Sequence, residues 1–157
     1  MYIHINERSK HINTPKPNKN RDCLESNSRK MSRVLSAIYA SGMKESQLKT
    51  SQFSLLSVIR GYGKISIGQL SKVMLMDQTT VTRNIKVLQK SALVSIVAGN
   101  DRRVKEISLT KKGQEIHKQA LPYWRTIQSK VWDKLGEEKV KQLFALIDEV
   151  IEISEEI

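Results

Sequence analysis

Apolar residues recur at three- and four-residue intervals along most of the chain and at two-residue intervals in one short part, so helices and a little sheet are expected. Met31, Val34, Leu35, Ile38 and Met43 mark a first helix from about Cys23 to Met43. Phe53, Leu56 and Ile59 mark a second, capped by Thr50 or Ser51 and ending around Gly61-Tyr62-Gly63, and Lys64-Ile65 then reads as a short strand. Ile67, Leu70 and Val73, with Met74, give a third, short helix, and Val81, Ile85 and Leu88 a fourth. Leu93 to Val97 and Val104 to Leu109 are strand-like, joined by the turn Ala98 to Arg103. In the second strand Lys105, Ile107 and Leu109 fall on one side and Glu106 and Ser108 on the other, the period of a half-covered strand. Ile116, Ala120, Trp124, Ile127 and Val131 mark a long helix after a Thr110 cap, with Pro122 expected to kink or interrupt it. After a break at Leu135-Gly136, Val140, Leu143, Phe144, Ile147 and Ile151 mark the last helix. The pattern predicts a mainly α fold with a small β wing.

The third and fourth helices, about 66–90, form the most informative stretch. Ser66-Ile67-Gly68-Gln69 has the form of a capping box, in which the glutamine reaches back to the serine N–H. Leu75 and Met76 make a turn, and Asp77 caps the next helix, where its charge suits the positive end. Opposite the apolar stripe stand Gln78, Thr79, Thr82, Arg83 and Lys86, with no carboxylate after Asp77. This inventory reaches phosphates and base edges in a DNA major groove: Gln78 and Arg83 are the candidates for base edges, and Thr79, Thr82 and Lys86 for phosphates or bases. A solvated amphipathic helix has the same pattern, so the helix alone leaves both readings open. The hairpin at about 93–109 tips the balance, because a helix-turn-helix followed by a basic hairpin is a winged helix.

Charge sharpens the picture. The chain of 157 residues carries net +11. Residues 36–112 hold thirteen Lys/Arg against four Asp/Glu, whereas 113–157 hold six against nine. Basic charge is thus concentrated on the predicted helix-turn-helix and wing, the footprint of a nucleic-acid binder.

Asp101-Arg102-Arg103 followed by Leu109-Thr110-Lys111-Lys112-Gly113, and Thr80-Val81-Thr82-Arg83 before them, resemble the MarR family of bacterial regulators (multiple antibiotic resistance type). Gln52-Phe53-Ser54-Leu55-Leu56 resembles that family's second helix, and the likeness runs from about Arg29 to the C-terminus. Three departures stand out: Ala92 replaces the usual glycine after the recognition helix, Ser95-Ile96 lacks the usual wing arginine, and Lys49 replaces a threonine. The resemblance implies a winged helix-turn-helix with N- and C-terminal dimerisation helices. Residues 49–110 would form the DNA-binding lobe, 22–48 and 111–157 the dimerisation helices of a single domain at 22–157, and 1–21 a flexible basic tail. It also implies a homodimer on double-stranded operator DNA, acting as a repressor. Arg103 would enter the minor groove, oriented by Asp101, while Arg102 meets phosphate and Lys105 lies behind them on the second wing strand.

Regulators of this kind are switched by small, often aromatic ligands or by cysteine oxidation. Tyr39, Phe53 and Trp124 are candidates to line a ligand pocket, although core packing accounts for the same rings. Cys23 is the one candidate redox residue: Arg21, Arg29 and Lys30 favour its thiolate, Asp22 and Glu25 oppose it, and no second cysteine exists to resolve it. An inert thiol and a sulfenic acid or intersubunit disulfide are both open readings. Arg29 and Arg33, four apart on one helix face, are solvated, paired at a subunit interface, or turned to a ligand.

No catalytic constellation, glycine-rich phosphate loop or metal-ligand spacing is found, and His4 and His11 are not spaced with Cys23 to bind a metal. Neither an enzyme nor a cofactor is expected. The absence of a membrane span or leader and the cysteine usage predict a cytoplasmic protein. The alternative to a DNA regulator is a winged-helix module binding protein or RNA.

Overall fold

The structure, a computed structural model, describes residues 23–99 and 104–156. Its elements are α1 (Leu24–Gly42), α2 (Thr50–Tyr62), β1 (Ile65–Ser66), α3 (Ile67–Met74), α4 (Gln78–Lys90), β2 (Val94–Ala98), β3 (Lys105–Leu109), α5 (Lys111–Leu135) and α6 (Glu137–Glu156). The fold is mainly α with a small antiparallel wing, in the order expected. The described residues divide into two compact units, one up to Leu35 and one from Ser36 on.

In the first unit the opening turns of α1 are described. Glu25 pairs with Arg29 one turn on, and the Asn27 side chain and backbone N–H both donate to the Cys23 carbonyl, tying down the start of the helix.

The second unit holds the core. Leu56, Ile59, Leu70, Val81, Ile85, Leu88 and Ile107 are fully buried, so α2, α3, α4 and the sheet close over one another. The sheet order is β1-β3-β2, with Ile65 opposite Ile107 and Ile96 opposite Ile107 on its other side. The strands begin one residue later than the apolar runs suggested: β1 at Ile65, not Lys64, β2 at Val94, not Leu93, and β3 at Lys105, not Val104. Leu93 stays outside β2 because its N–H donates back to the Leu88 carbonyl, although its own carbonyl accepts from Thr110 N–H.

Helix boundaries follow their caps. Ser66 accepts from Gln69 N–H while Gln69 accepts from Ser66 N–H, which completes the predicted box. Lys49, not Thr50 or Ser51, occupies the N-cap of α2. Lysine has no acceptor, so only the return bond forms, from Lys49 N–H to Gln52. The buried Thr50 hydroxyl is left without a partner. Val73 is exposed, contrary to its predicted inward position; Leu70 and Ser71 are buried and Met74 packs on the core instead. Pro122 does not interrupt α5, which runs on as one helix.

Among the described residues, two that are not glycine adopt left-handed backbone, Leu75 (φ 50) in the turn of the helix-turn-helix and Ala92 (φ 57) after α4. Ala92 is where the resemblance called for glycine, and the turn forms despite its side chain. A Cβ in this conformation costs about 1–2 kcal/mol, while glycine loses roughly 0.5–1 kcal/mol more chain entropy on folding. Ala92→Gly is therefore expected to raise the melting temperature by a few degrees, ~1–3 °C. A lower melting temperature would show that the alanine is unstrained.

Candidate nucleic-acid interface

Helix α4 turns Val81, Ile85 and Leu88 into the core, each no more than 1 % exposed. The phase this fixes leaves Gln78, Thr79, Arg83 and Lys86 exposed and Thr82 half-buried, and the five line an open groove of about 460 Å³. The start of the helix is held by Asp77, whose carboxylate accepts from Thr80 N–H at 2.7 Å and from the Thr80 hydroxyl at 2.6 Å. Those bonds hold its carboxyl below the usual carboxylate range. The Asp77 carboxylate is thus committed to its own helix end. Among the described residues Arg83 and Lys86 pair with no carboxylate.

The wing lies beside this face. Thr82 and Lys86 of α4 and Lys105 of β3 line a second cleft of about 380 Å³, floored by Ile67, Ile85 and Ile96. Lys105 is exposed at the start of its strand, opposite Ala98. Asp101, Arg102 and Arg103 lie outside the described residues.

Three backbone carbonyls just beyond α4 tie it to the start of α5. Ser91 accepts from the Lys112 ammonium at 3.0 Å, Ala92 from the Thr110 hydroxyl at 2.7 Å, and Leu93 from Thr110 N–H at 3.1 Å. The Thr110 hydroxyl also caps α5 by accepting from Gly113 N–H. The two helix ends therefore form one joint.

Phe53 and Trp124 are packed against each other, with ring centroids 5.8 Å apart. Phe53 also stacks face to face on His117, at 4.7 Å and 3°. Tyr39 stands apart from this stack in its bonding: its hydroxyl donates to Gln128, and burial raises its pKa. Cys23 is half-buried just before α1. Among the described residues no group of three or more His, Cys, Asp or Glu could hold a metal ion, and no helix is long and apolar enough to cross a membrane.

Sequence reasoning passed over His117. It is 4 % exposed, with Nε2 2.8 Å from the Ser57 hydroxyl and Nδ1 3.2 Å from Arg60 Nη1. Its phase was readable: Gly113, His117, Ala120 and Trp124 recur at intervals of four, three and four on α5. Burial, and then the Arg60 charge, lower its pKa. A base with a depressed folded pKa gives full stability above its unfolded value, about 6.5, and loses it as pH falls through the folded pKa. The wild-type melting temperature is expected to drop more steeply below about pH 6.5 than that of His117→Gln. Parallel curves would contradict the buried neutral histidine.

Comparison with known proteins places the arrangement. The model of the MarR family matches residues 46–104. An uncharacterised HTH-type transcriptional regulator of Bacillus cereus is 33 % identical over 114 residues, spanning 72 % of this chain and 76 % of that protein. The M. tuberculosis transcriptional regulator MosR, solved in complex with DNA, is 31 % identical with a TM-score of 0.74, over 85 % of this chain and 98 % of that one. Wild-type MarR from E. coli in its apo form shares the fold, at 22 % identity and a TM-score of 0.65 over 82 % of this chain and 96 % of that one. With a helix-turn-helix, a basic-edged wing and relatives of this identity and coverage, the chain belongs to the MarR family of winged helix-turn-helix transcriptional regulators, which are DNA-binding proteins and not enzymes.

Proposed function

We propose that the protein is a homodimeric repressor that reads a pseudo-palindromic operator in double-stranded DNA. The observation that carries this reading is the face of α4, where an amide, two hydroxyls and two cations that pair with no carboxylate among the described residues share one groove. A major groove admits a helix, and these side chains supply both base readers and phosphate contacts. In this reading Gln78 and Arg83 meet base edges, and Thr79, Thr82, Lys86 and Lys105 meet phosphates or bases. Arg102 meets phosphate, while Arg103 enters the minor groove with Asp101 orienting it. Residues 49–110 act as the DNA-binding lobe and 22–48 with 111–157 as dimerisation helices.

Self-association is supported by the apolar surface of α6. Phe144, Leu146, Ile147, Val150 and Ile153 are each 40–57 % exposed. No described residue of the chain covers them, and a second copy presents the matching face. Two recognition helices related by a two-fold axis then read half-sites about one turn, ~10 bp, apart. Sedimentation of the protein with and without its promoter DNA tests this: two protomers per symmetrical footprint are expected. A monomer that holds an unsymmetrical site at full affinity would refute it.

The release signal in this reading is a small aromatic ligand near Tyr39, Phe53 and Trp124 in preference to oxidation of Cys23. Arg29, one of the cations that would favour the thiolate, is engaged by Glu25, and Cys23 is the sole cysteine of the chain. Peroxide is expected to release operator DNA equally, or not at all, in wild type and Cys23→Ser. Release confined to the wild type would make oxidation the signal.

A further inference from the structure

A second basic concavity lies away from the recognition helix. It is a groove of about 800 Å³ between the end of α2, the end of β3 and the first two turns of α5. Arg60 and Lys64 enter it from α2 and the turn beyond, and Lys111 and Lys118 from α5, with Gln114 and Glu115 between them. Its lining shares no residue with either groove on α4.

We propose that this groove binds a compact phosphorylated anion, with Arg60, Lys111 and Lys118 as its main ligands. Four cations face one lining carboxylate. Lys64 is only loosely matched, by Glu106 at 3.9 Å, and Glu115 is occupied by the Gln119 amide. Arg60, Lys111 and Lys118 make no ion pair among the described residues. A cleft with a large excess of one sign of charge concentrates counter-ions, and several cations converging from two helices and a turn suit an anion with several charged oxygens.

Helix polarity adds to this. Lys111, which lines the groove, is the first residue of α5, so the positive end of that helix lies beside it. The opposing negative end of α2 is tempered by Arg60 in its last turn and by the Gly63 N–H that the Arg60 carbonyl accepts. The volume accommodates a nucleotide-sized ligand. A duplex backbone is convex and meets cations that project from a surface; a concavity on α2 and α5 favours a small anion.

Arg60 also supplies an internal reporter, because its guanidinium contacts the ring of His117. An anion at Arg60 changes the field at that ring.

The test uses the full-length protein with inorganic pyrophosphate as probe, followed by calorimetry and by the His117 ring resonances, identified by their loss in His117→Gln. Saturable binding that shifts those resonances is expected. Affinity should fall tenfold or more in Lys118→Gln and in Arg60→Gln, but not in Lys139→Gln, a cation of α6 outside the groove. Lys118→Gln alters a surface side chain, so a folding defect in Arg60→Gln leaves the test intact. ATP should bind as pyrophosphate does and adenosine should not. Equal affinity in all variants, or equal binding of adenosine, would overturn the proposal. So would loss of duplex-DNA affinity in Lys118→Gln together with displacement of pyrophosphate by duplex, because the groove would then be a DNA-backbone contact.

Discussion

Gly113→Ala is expected to lower stability by about 2 kcal/mol or more, although the position is inside a helix. Helix propensity argues the other way, since alanine is better than glycine there by ~1 kcal/mol. Packing decides the sign. A Cβ on Gly113 would stand 1.9 Å from the Leu93 carbonyl oxygen and 2.9 Å from its carbon. That oxygen is backbone, and it already accepts from Thr110 N–H, so it has no rotamer in which to escape. Relief requires the start of α5 to lift away from the end of α4, stretching the bonds from Thr110 and Lys112 to Ala92 and Ser91. The melting temperature should fall by roughly 4–8 °C. Gly61→Ala is the control, for a Cβ there meets nothing within 4 Å, and it should be neutral or stabilising. A Gly113→Ala protein as stable as wild type would mean that α5 is not held against Leu93. The same variant should also weaken operator binding, because the joint that loosens is the one that orients α4.

Arg83→Ala should relax sequence preference at one base pair in each half-site, at a cost of ~1–3 kcal/mol per half-site. Arg83 is exposed on α4 and bonded to no carboxylate among the described residues, so removing it leaves no stranded charge and leaves the core stripe of Val81, Ile85 and Leu88 untouched. The loss should therefore appear in binding and not in the melting curve. Arg103→Ala should weaken binding through the minor groove, with a preference for narrow, A·T-rich flanks reduced. Competition binding against duplexes changed at single positions measures both. If Arg83→Ala lowers affinity by the same factor for every duplex, Arg83 contacts phosphate only. If Arg103→Ala binds as wild type does, the wing arginine has no role in the minor groove.

Most of the lobe was legible because its signals are local. Ser66 and Gln69, Asp77 and Thr80, and Thr110 and Gly113 are within one turn of each other, so their caps can be read from residue types alone. The stripe Val81, Ile85 and Leu88 carried enough phase to orient α4 and so to expose Gln78, Thr79, Arg83 and Lys86. What escaped depends on distant partners. His117 is polar, and its burial is explained by Ser57 and Arg60, 60 and 57 residues away in sequence, together with the stacked ring of Phe53. Gly113 is one residue of a family-like motif until Leu93 is seen against it. Val73 misled because an eight-residue helix offers too few apolar positions to fix its phase. The basic groove on α2 and α5 was invisible because Arg60, Lys64, Lys111 and Lys118 come from separate segments.

If two copies of the chain read a symmetrical site through α4, the symmetry must appear in the DNA they choose. Selection of bound duplexes from a random pool by the full-length protein, with the recovered sites sequenced, reads that choice without assuming an operator. A pseudo-palindrome with half-sites ~10 bp apart is expected, and, for Arg83→Ala, the loss of information at one position in each half with the symmetry kept. Recovery of unsymmetrical sites, or of the same sites by wild type and Arg83→Ala, would contradict a dimer that reads DNA through this helix.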